Sequence, residues 1–169
     1  DLALYHHLDV VANLFLGREE LTSIPPVLKE EDMERRAVEV LKSLSVKLPG
    51  VRTPIAALSG GQRQSVAVSR SVMWAAKVVL LDEPTAALGV AQTKQVLELI
   101  RRLKEQGLGV VVISHNLADV FEVCDRIVVL RLGKRIGDFK VAEATREQVV
   151  SAITGATIEI LKTPPEEPK

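Results

Sequence analysis

The apolar positions change period along the chain. From Lys29 to Val46 they fall at helical spacing: Met33, Ala37, Val40, Leu41 and Leu44, with Leu48 just beyond, mark one face of an amphipathic helix. Glu30, Glu31 and Asp32 sit in its first turn, where the helix dipole favours negative charge, and Pro49-Gly50 stops it. A shorter helix is predicted over Val10–Leu16, ending at Gly17, and Ser23-Ile24-Pro25-Pro26 reads as a loop or linker. After Pro54 the pattern changes, and short apolar runs alternate with helical stretches. Ser59–Trp74, Val90–Gln106, Leu117–Val123 and Thr145–Thr154 are predicted helices, the last closed by Gly155. Val78–Leu81 is a predicted strand buried on both faces, and Val110–Ile113 is a second buried strand. Arg126–Leu132 and Arg135–Phe139 are predicted to form a hairpin around Gly133-Lys134. The Pro- and Glu-rich stretch Thr163–Lys169 is predicted to be disordered. Short buried strands alternating with helices predict an α/β fold with a largely parallel central sheet.

Composition narrows the function classes. With 169 residues, 47% of them hydrophobic and 26% charged, the chain can bury an ordinary core. Lys+Arg equals Asp+Glu at 22 each, and no basic block exceeds a pair, so there is no electrostatic footprint for nucleic acid. Cys124 is the only cysteine, which excludes an internal disulfide and a cysteine-cluster zinc site and reads as a small core residue. No apolar run approaches the roughly 20 residues needed to span a bilayer, so work at a membrane would be that of a peripheral subunit.

Three segments carry candidate chemistry. In Val78-Val79-Leu80-Leu81-Asp82-Glu83-Pro84-Thr85, two adjacent carboxylates emerge at the C-terminal end of a strand, where open α/β sheets place their ligands. Paired carboxylates are costly there unless something cationic or protic meets them. A Mg²⁺-nucleotide would serve: one carboxylate can hold the metal, the other can orient or deprotonate an attacking water. The plainer alternative is an acidic strand end facing solvent. In Leu58-Ser59-Gly60-Gly61-Gln62, Ser59 and Gln62 have the spacing of a capping box. Capping does not explain two glycines in a first turn, each of which weakens a helix by about 1 kcal/mol relative to alanine. Bare N–H groups there make an anion site that a phosphate can approach closely. Finally, His115 follows Val110-Val111-Val112-Ile113-Ser114, at the same sheet edge as Asp82 and Glu83 if the strands are parallel. It could then reach a phosphate or its attacking water, although a lone loop histidine is more often merely satisfied. His6 and His7 have no comparable context.

Taken together and in this order, the three segments resemble the ATP-binding-cassette (ABC) ATPases. Leu58–Gln62 is similar to their signature motif, Leu80–Thr85 to their Walker B strand with its catalytic glutamate, and Ser114-His115 to their switch histidine. The resemblance runs from Asp1 to about Gly155. It implies a P-loop NTPase-like core with a largely parallel sheet plus a helical subdomain. Residues 1–75 would form that helical subdomain, 76–155 the C-terminal part of the ATPase core, and 156–169 a disordered tail. It further implies that Asp82 holds Mg²⁺ through water, that Glu83 is the general base, and that His115 contacts the γ-phosphate of ATP. Ser59, Gly60, Gly61 and Gln62 would close over ATP bound to a second ATPase subunit in a head-to-tail dimer. Membrane permease subunits, and indirectly a periplasmic or extracellular sugar-binding protein, are the other implied partners, with no nucleic acid. The implied place is the cytoplasmic face of the cell membrane.

Two features depart from that family. No Gly-x-x-x-x-Gly-Lys-Ser/Thr loop occurs in the chain, so the phosphate cradle and its lysine are expected to lie upstream of Asp1. The family's usual aspartate after the Walker B region is replaced in Ala86-Ala87-Leu88-Gly89-Val90 by Gly89. That variant is similar to the branch importing simple sugars, as are Ser65–Ser71 and Arg131–Arg135, so the expected function is ATP hydrolysis coupled to monosaccharide import. The alternatives are a soluble ABC-type ATPase acting on DNA or the ribosome, and an inactive remnant with only an interaction role. Neither long coiled-coil insertions nor a charged linker to a second cassette speaks for the first.

Overall fold

The structure, a computed structural model, describes residues 4–74 and 77–155. The expected tail, 156–169, lies outside them. Contacts divide the chain into two compact units, residues 1–115 and 116–169.

The first unit begins with three helices packed on one another. α1 (Val10–Phe15) is capped by Asp9, whose carboxylate accepts the Ala12 N–H at 2.7 Å. Asn13, fully buried on α1, ties down the preceding segment. Its Oδ1 accepts the Tyr5 N–H at 2.8 Å, and its Nδ2 donates to the carbonyls of Tyr5, Leu8 and Asp9. Every polar atom of the amide is thus paired, as burial requires. α2 (Glu30–Ser43) presents the predicted face: Met33, Ala37, Leu41 and Leu44 are buried, and Val40 and Leu48 pack beside them. α3 (Gly60–Met73) contributes Val66 and Met73 to the same core, with Val10, Leu14 and Phe15 of α1. Trp74 closes it. Its ring meets Phe15 edge-on at 5.7 Å, its N–H donates to the Leu14 carbonyl, and the Arg18 guanidinium lies 4.9 Å above it.

After α3 the same unit holds β1 (Val78–Asp82), α4 (Val90–Glu105) and β2 (Gly109–Ile113). β1 and β2 pair in parallel, Val78 opposite Gly109 and Asp82 opposite Ile113. A parallel pair needs a crossover, and α4 supplies it. Val96, Leu97, Leu99, Ile100 and Leu103 of α4 are buried, as are Val79 and Leu81 of β1. The expectation of strands buried on both faces is corrected here. Val78 is 53% exposed and Leu80 70%, and Val111 and Ile113 are 48% and 53% exposed. Among the described residues the sheet of this unit has two strands, so helix covers one face of the ribbon and nothing described covers the other.

The second unit is α5 (Leu117–Val123), an antiparallel hairpin of β3 (Arg126–Arg131) and β4 (Lys134–Lys140), and α6 (Arg146–Thr154). Val120, Ile127, Val129 and Val149 form its core, with Cys124, Phe121 and Phe139 packed against them. Thr145 and Gln148 make a reciprocal capping box that starts α6. The hairpin turns at Leu132-Gly133, one residue earlier than expected. Both have positive φ, 48° and 74°, as a tight two-residue turn between right-twisted strands requires. Leucine in that conformation is rare, which is why the sequence pointed to Gly133-Lys134 instead. Arg126 grips Asp138 across the strands with two hydrogen bonds, at 2.7 and 2.5 Å, and this holds the Asp138 carboxyl below its usual range.

Candidate functional site

The carboxylate edge is built by an abrupt change of backbone at the end of β1. Asp82 ends the strand in register with Ile113. The next residue, Glu83, has φ 47°, the left-handed region that non-glycine residues avoid. Its N–H donates to the Ile113 carbonyl at 2.8 Å, which pins the bend to β2. A bend here breaks the alternation of side chains that a continuing strand would impose on two adjacent carboxylates. Glu83 turns to His115: its Oε1 accepts the His115 backbone N–H at 3.1 Å and lies 2.8 Å from His115 Nδ1. The parallel register therefore brings Glu83 and His115 together, as the spacing implied. His115 remains 81% exposed at the side chain, so its other ring nitrogen is open to a ligand.

Asp82 is exposed, and its carboxylate has no hydrogen bond or ion pair to any described residue. No group of three or more metal-binding side chains occurs among the described residues. One free, exposed carboxylate is the donor set expected for Mg²⁺, which keeps most of its waters and takes its remaining ligands from phosphate. The residues present fit that ion.

The start of α3 bears out the capping box. Ser59 Oγ accepts the Gln62 N–H at 3.3 Å, and Gln62 Oε1 accepts the Ser59 N–H at 2.9 Å. Gln62 Nε2 also donates to the Lys47 carbonyl at 3.3 Å, so its amide fastens the α2–α3 loop to the helix start. The N–H groups of Gly60 and Gly61 donate to no described residue, which leaves two donors at a helix N-terminus. The glycines have a further reason to be there that periodicity and capping did not reveal. A Cβ on Gly60 would stand 3.0 Å from Leu88 Cδ2, and one on Gly61 would stand 3.1 Å from Gln92 Cβ and 3.5 Å from its Cα. The first turn of α3 thus lies directly on the first turn of α4.

Gly89 is the N-cap of α4. It offers no side-chain acceptor, and a Cβ placed on it would meet nothing within 4 Å. Space does not demand a glycine. The cap is completed from the other side only, by Gln92 Oε1 accepting the Gly89 N–H at 3.3 Å.

The parallel strand pair thus ends in an exposed Asp82 and in a Glu83 bound to His115, and a separate capped Ser-Gly-Gly-Gln turn starts α3. The family profile described as ABC transporter matches residues 3–86, and the chain belongs to the ABC transporter family of ATP-binding proteins. It is 44% identical over 154 residues to the xylose/arabinose import ATP-binding protein of Sulfolobus acidocaldarius, covering 91% of this chain and 61% of that protein. It is 41% identical over 175 residues to the fructose import ATP-binding protein of Rhizobium meliloti, covering 99% of this chain and 65% of that one. The chain therefore spans just under two thirds of the length of these relatives. Among solved structures, a dimeric ATP-binding cassette in a post-hydrolysis state bound to ADP and Pi superposes with a TM-score of 0.64 at 26% identity, over 83% of this chain and 60% of that one. No helix among the described residues is long and apolar enough to cross a membrane.

Proposed function

We propose that these residues form the hydrolytic edge and the partner-facing signature segment of an ATPase that drives monosaccharide import. The observation that carries the reading is the Glu83–His115 pair at the end of a parallel strand pair, beside an unengaged Asp82. Glu83 is the general base: it takes the proton of the water that attacks the γ-phosphate of ATP. His115, anchored to Glu83 through Nδ1 and its backbone N–H, offers its outer ring nitrogen to the γ-phosphate. Asp82 would hold Mg²⁺, which when bound neutralises charge on the phosphates. Ser59, Gly60, Gly61 and Gln62 meet the ATP of a second subunit placed head to tail. Two such subunits close on ATP and open after hydrolysis, an interface with two discrete states that can move a membrane permease. Within the cassette, residues 1–75 form the helical subdomain that receives the permease, and 76–155 the C-terminal part of the ATPase core. The subunit works peripherally, on the cytoplasmic face of the membrane, and a sugar-binding protein outside delivers the solute. Sugar as cargo rests on the xylose/arabinose and fructose import relatives and on the Ala86–Val90 stretch.

Ser59→Asp tests the signature role in a full-length cassette carrying these residues. Aspartate is as good an N-cap as serine and suits the helix dipole, so α3 still forms. Its charge repels a γ-phosphate brought by the partner. Turnover should fall by about 10²–10³-fold, the scale of one lost oxyanion-type contact, while ATP binding to the separated subunit changes by less than about threefold. Loss of binding in the separated subunit would instead place the segment in its own nucleotide site.

A further inference from the structure

The close approach of α3 to α4 assigns a role to a residue outside all three motifs. Gly61 is buried, and its missing side chain is replaced by Gln92, whose Cβ, Cγ and Cα would lie 3.1, 3.5 and 3.5 Å from an added Cβ. Such a contact cannot be relieved by swinging a flexible side-chain tip, because the nearest atoms are Gln92's Cβ and backbone. Behind Gly60 stands the tip of a side chain, Leu88 Cδ2, at 3.0 Å. Both belong to the stretch that runs on from Glu83. Ala86 and Leu88 donate to the carbonyls of Glu83 and Thr85, Ala87 has φ 57°, and Gln92 then returns to the N–H of Gly89. The carboxylate edge and the turn offered to the partner subunit are therefore joined inside one chain by packed, hydrogen-bonded backbone.

We propose that Gln92 is a positioning residue: it is the seat on which the Gly60-Gly61 turn rests, and it sets that turn relative to Asp82 and Glu83. Gly61 lacks a side chain because of this seat as well as any phosphate. The functional part rests on the reading above, that the turn acts on the partner's ATP. A displacement of the Glu83–Gly89 stretch is then passed to the signature turn through Gln92, without a flexible linker between them.

The test is a size-swap cycle in the full-length cassette, using Gly61→Ala, Gln92→Gly and the double variant. Gly61→Ala should lower kcat by about tenfold or more through overpacking, with KM for ATP within about twofold. Adding Gln92→Gly should restore kcat to within about threefold of Gln92→Gly alone, because removing the Gln92 side chain makes room for the alanine methyl. Urea unfolding of the same four proteins without nucleotide should show the same non-additivity. Additive losses in both measurements would overturn the seat. Non-additive stability with no recovery of kcat would leave a merely structural contact and overturn the positioning role. If the unmodified cassette shows no turnover, the ATPase reading fails, and the unfolding cycle still decides the seat.

Discussion

Replacing Glu83 with glutamine in a full-length cassette lowers ATP turnover by about 10²–10⁴-fold, the range a lost general base covers, and leaves ATP binding and dimer formation in place. The substitution is isosteric. The glutamine oxygen can still accept the His115 backbone N–H that Glu83 Oε1 accepts at 3.1 Å, so the bend at the end of β1 keeps its anchor. What is lost is the negative charge that would draw a proton from water. The protein should therefore close on ATP and stall, and ATP should be recovered unhydrolysed from the isolated dimer. Single-turnover measurement separates this from a folding defect. Turnover near the unmodified rate would remove Glu83 from the base role.

The second large effect concerns the 169-residue chain tested alone. Its ATP turnover is expected at the buffer background. In the proposed mechanism Glu83, His115 and Asp82 act on a γ-phosphate that something must hold, and no Gly-x-x-x-x-Gly-Lys-Ser/Thr stretch occurs in the sequence to cradle it. A base without a positioned phosphate loses the advantage of proximity, which supplies about 7–11 kcal/mol of a well-oriented reaction's barrier lowering. A phosphate-release assay on the purified chain, beside its Glu83→Gln variant, reads the outcome. Turnover by the chain that vanishes in the variant would mean that these residues hold the nucleotide without such a loop.

Much of this architecture was legible because it depends on local rules. Ser59-x-x-Gln62 and Thr145-x-x-Gln148 start helices through reciprocal caps. The limits of α5, Leu117–Val123, match in sequence and structure, since Asn116 caps it and Cys124 ends it in extended backbone. The meeting of Glu83 and His115 follows from two apolar runs each ending one or two residues before a polar group, once the strands are parallel. Other features depend on what lies far along the chain. An apolar run such as Val78–Leu81 reads the same whether one face or two are covered, and only the packing of α4 tells them apart. The left-handed backbone of Glu83 has no residue-type signal, because glutamate does not favour it. The Gly60-Gly61 pair drew attention as an anion site. Its contact with Leu88 and Gln92 was hidden, because no pattern within either helix reports which residue of another helix lies behind a glycine.

In the proposed head-to-tail dimer, each catalytic site combines the Glu83 edge of one subunit with the Ser59–Gln62 turn of another. Mixing two inactive full-length variants, Glu83→Gln and Ser59→Asp, decides whether the site is shared. In a head-to-tail dimer of one of each, one site carries both lesions and the other carries neither. With random pairing and independent sites, the equimolar mixture should recover about a quarter of the unmodified rate. A rate no higher than that of the two variants measured apart would contradict the shared site.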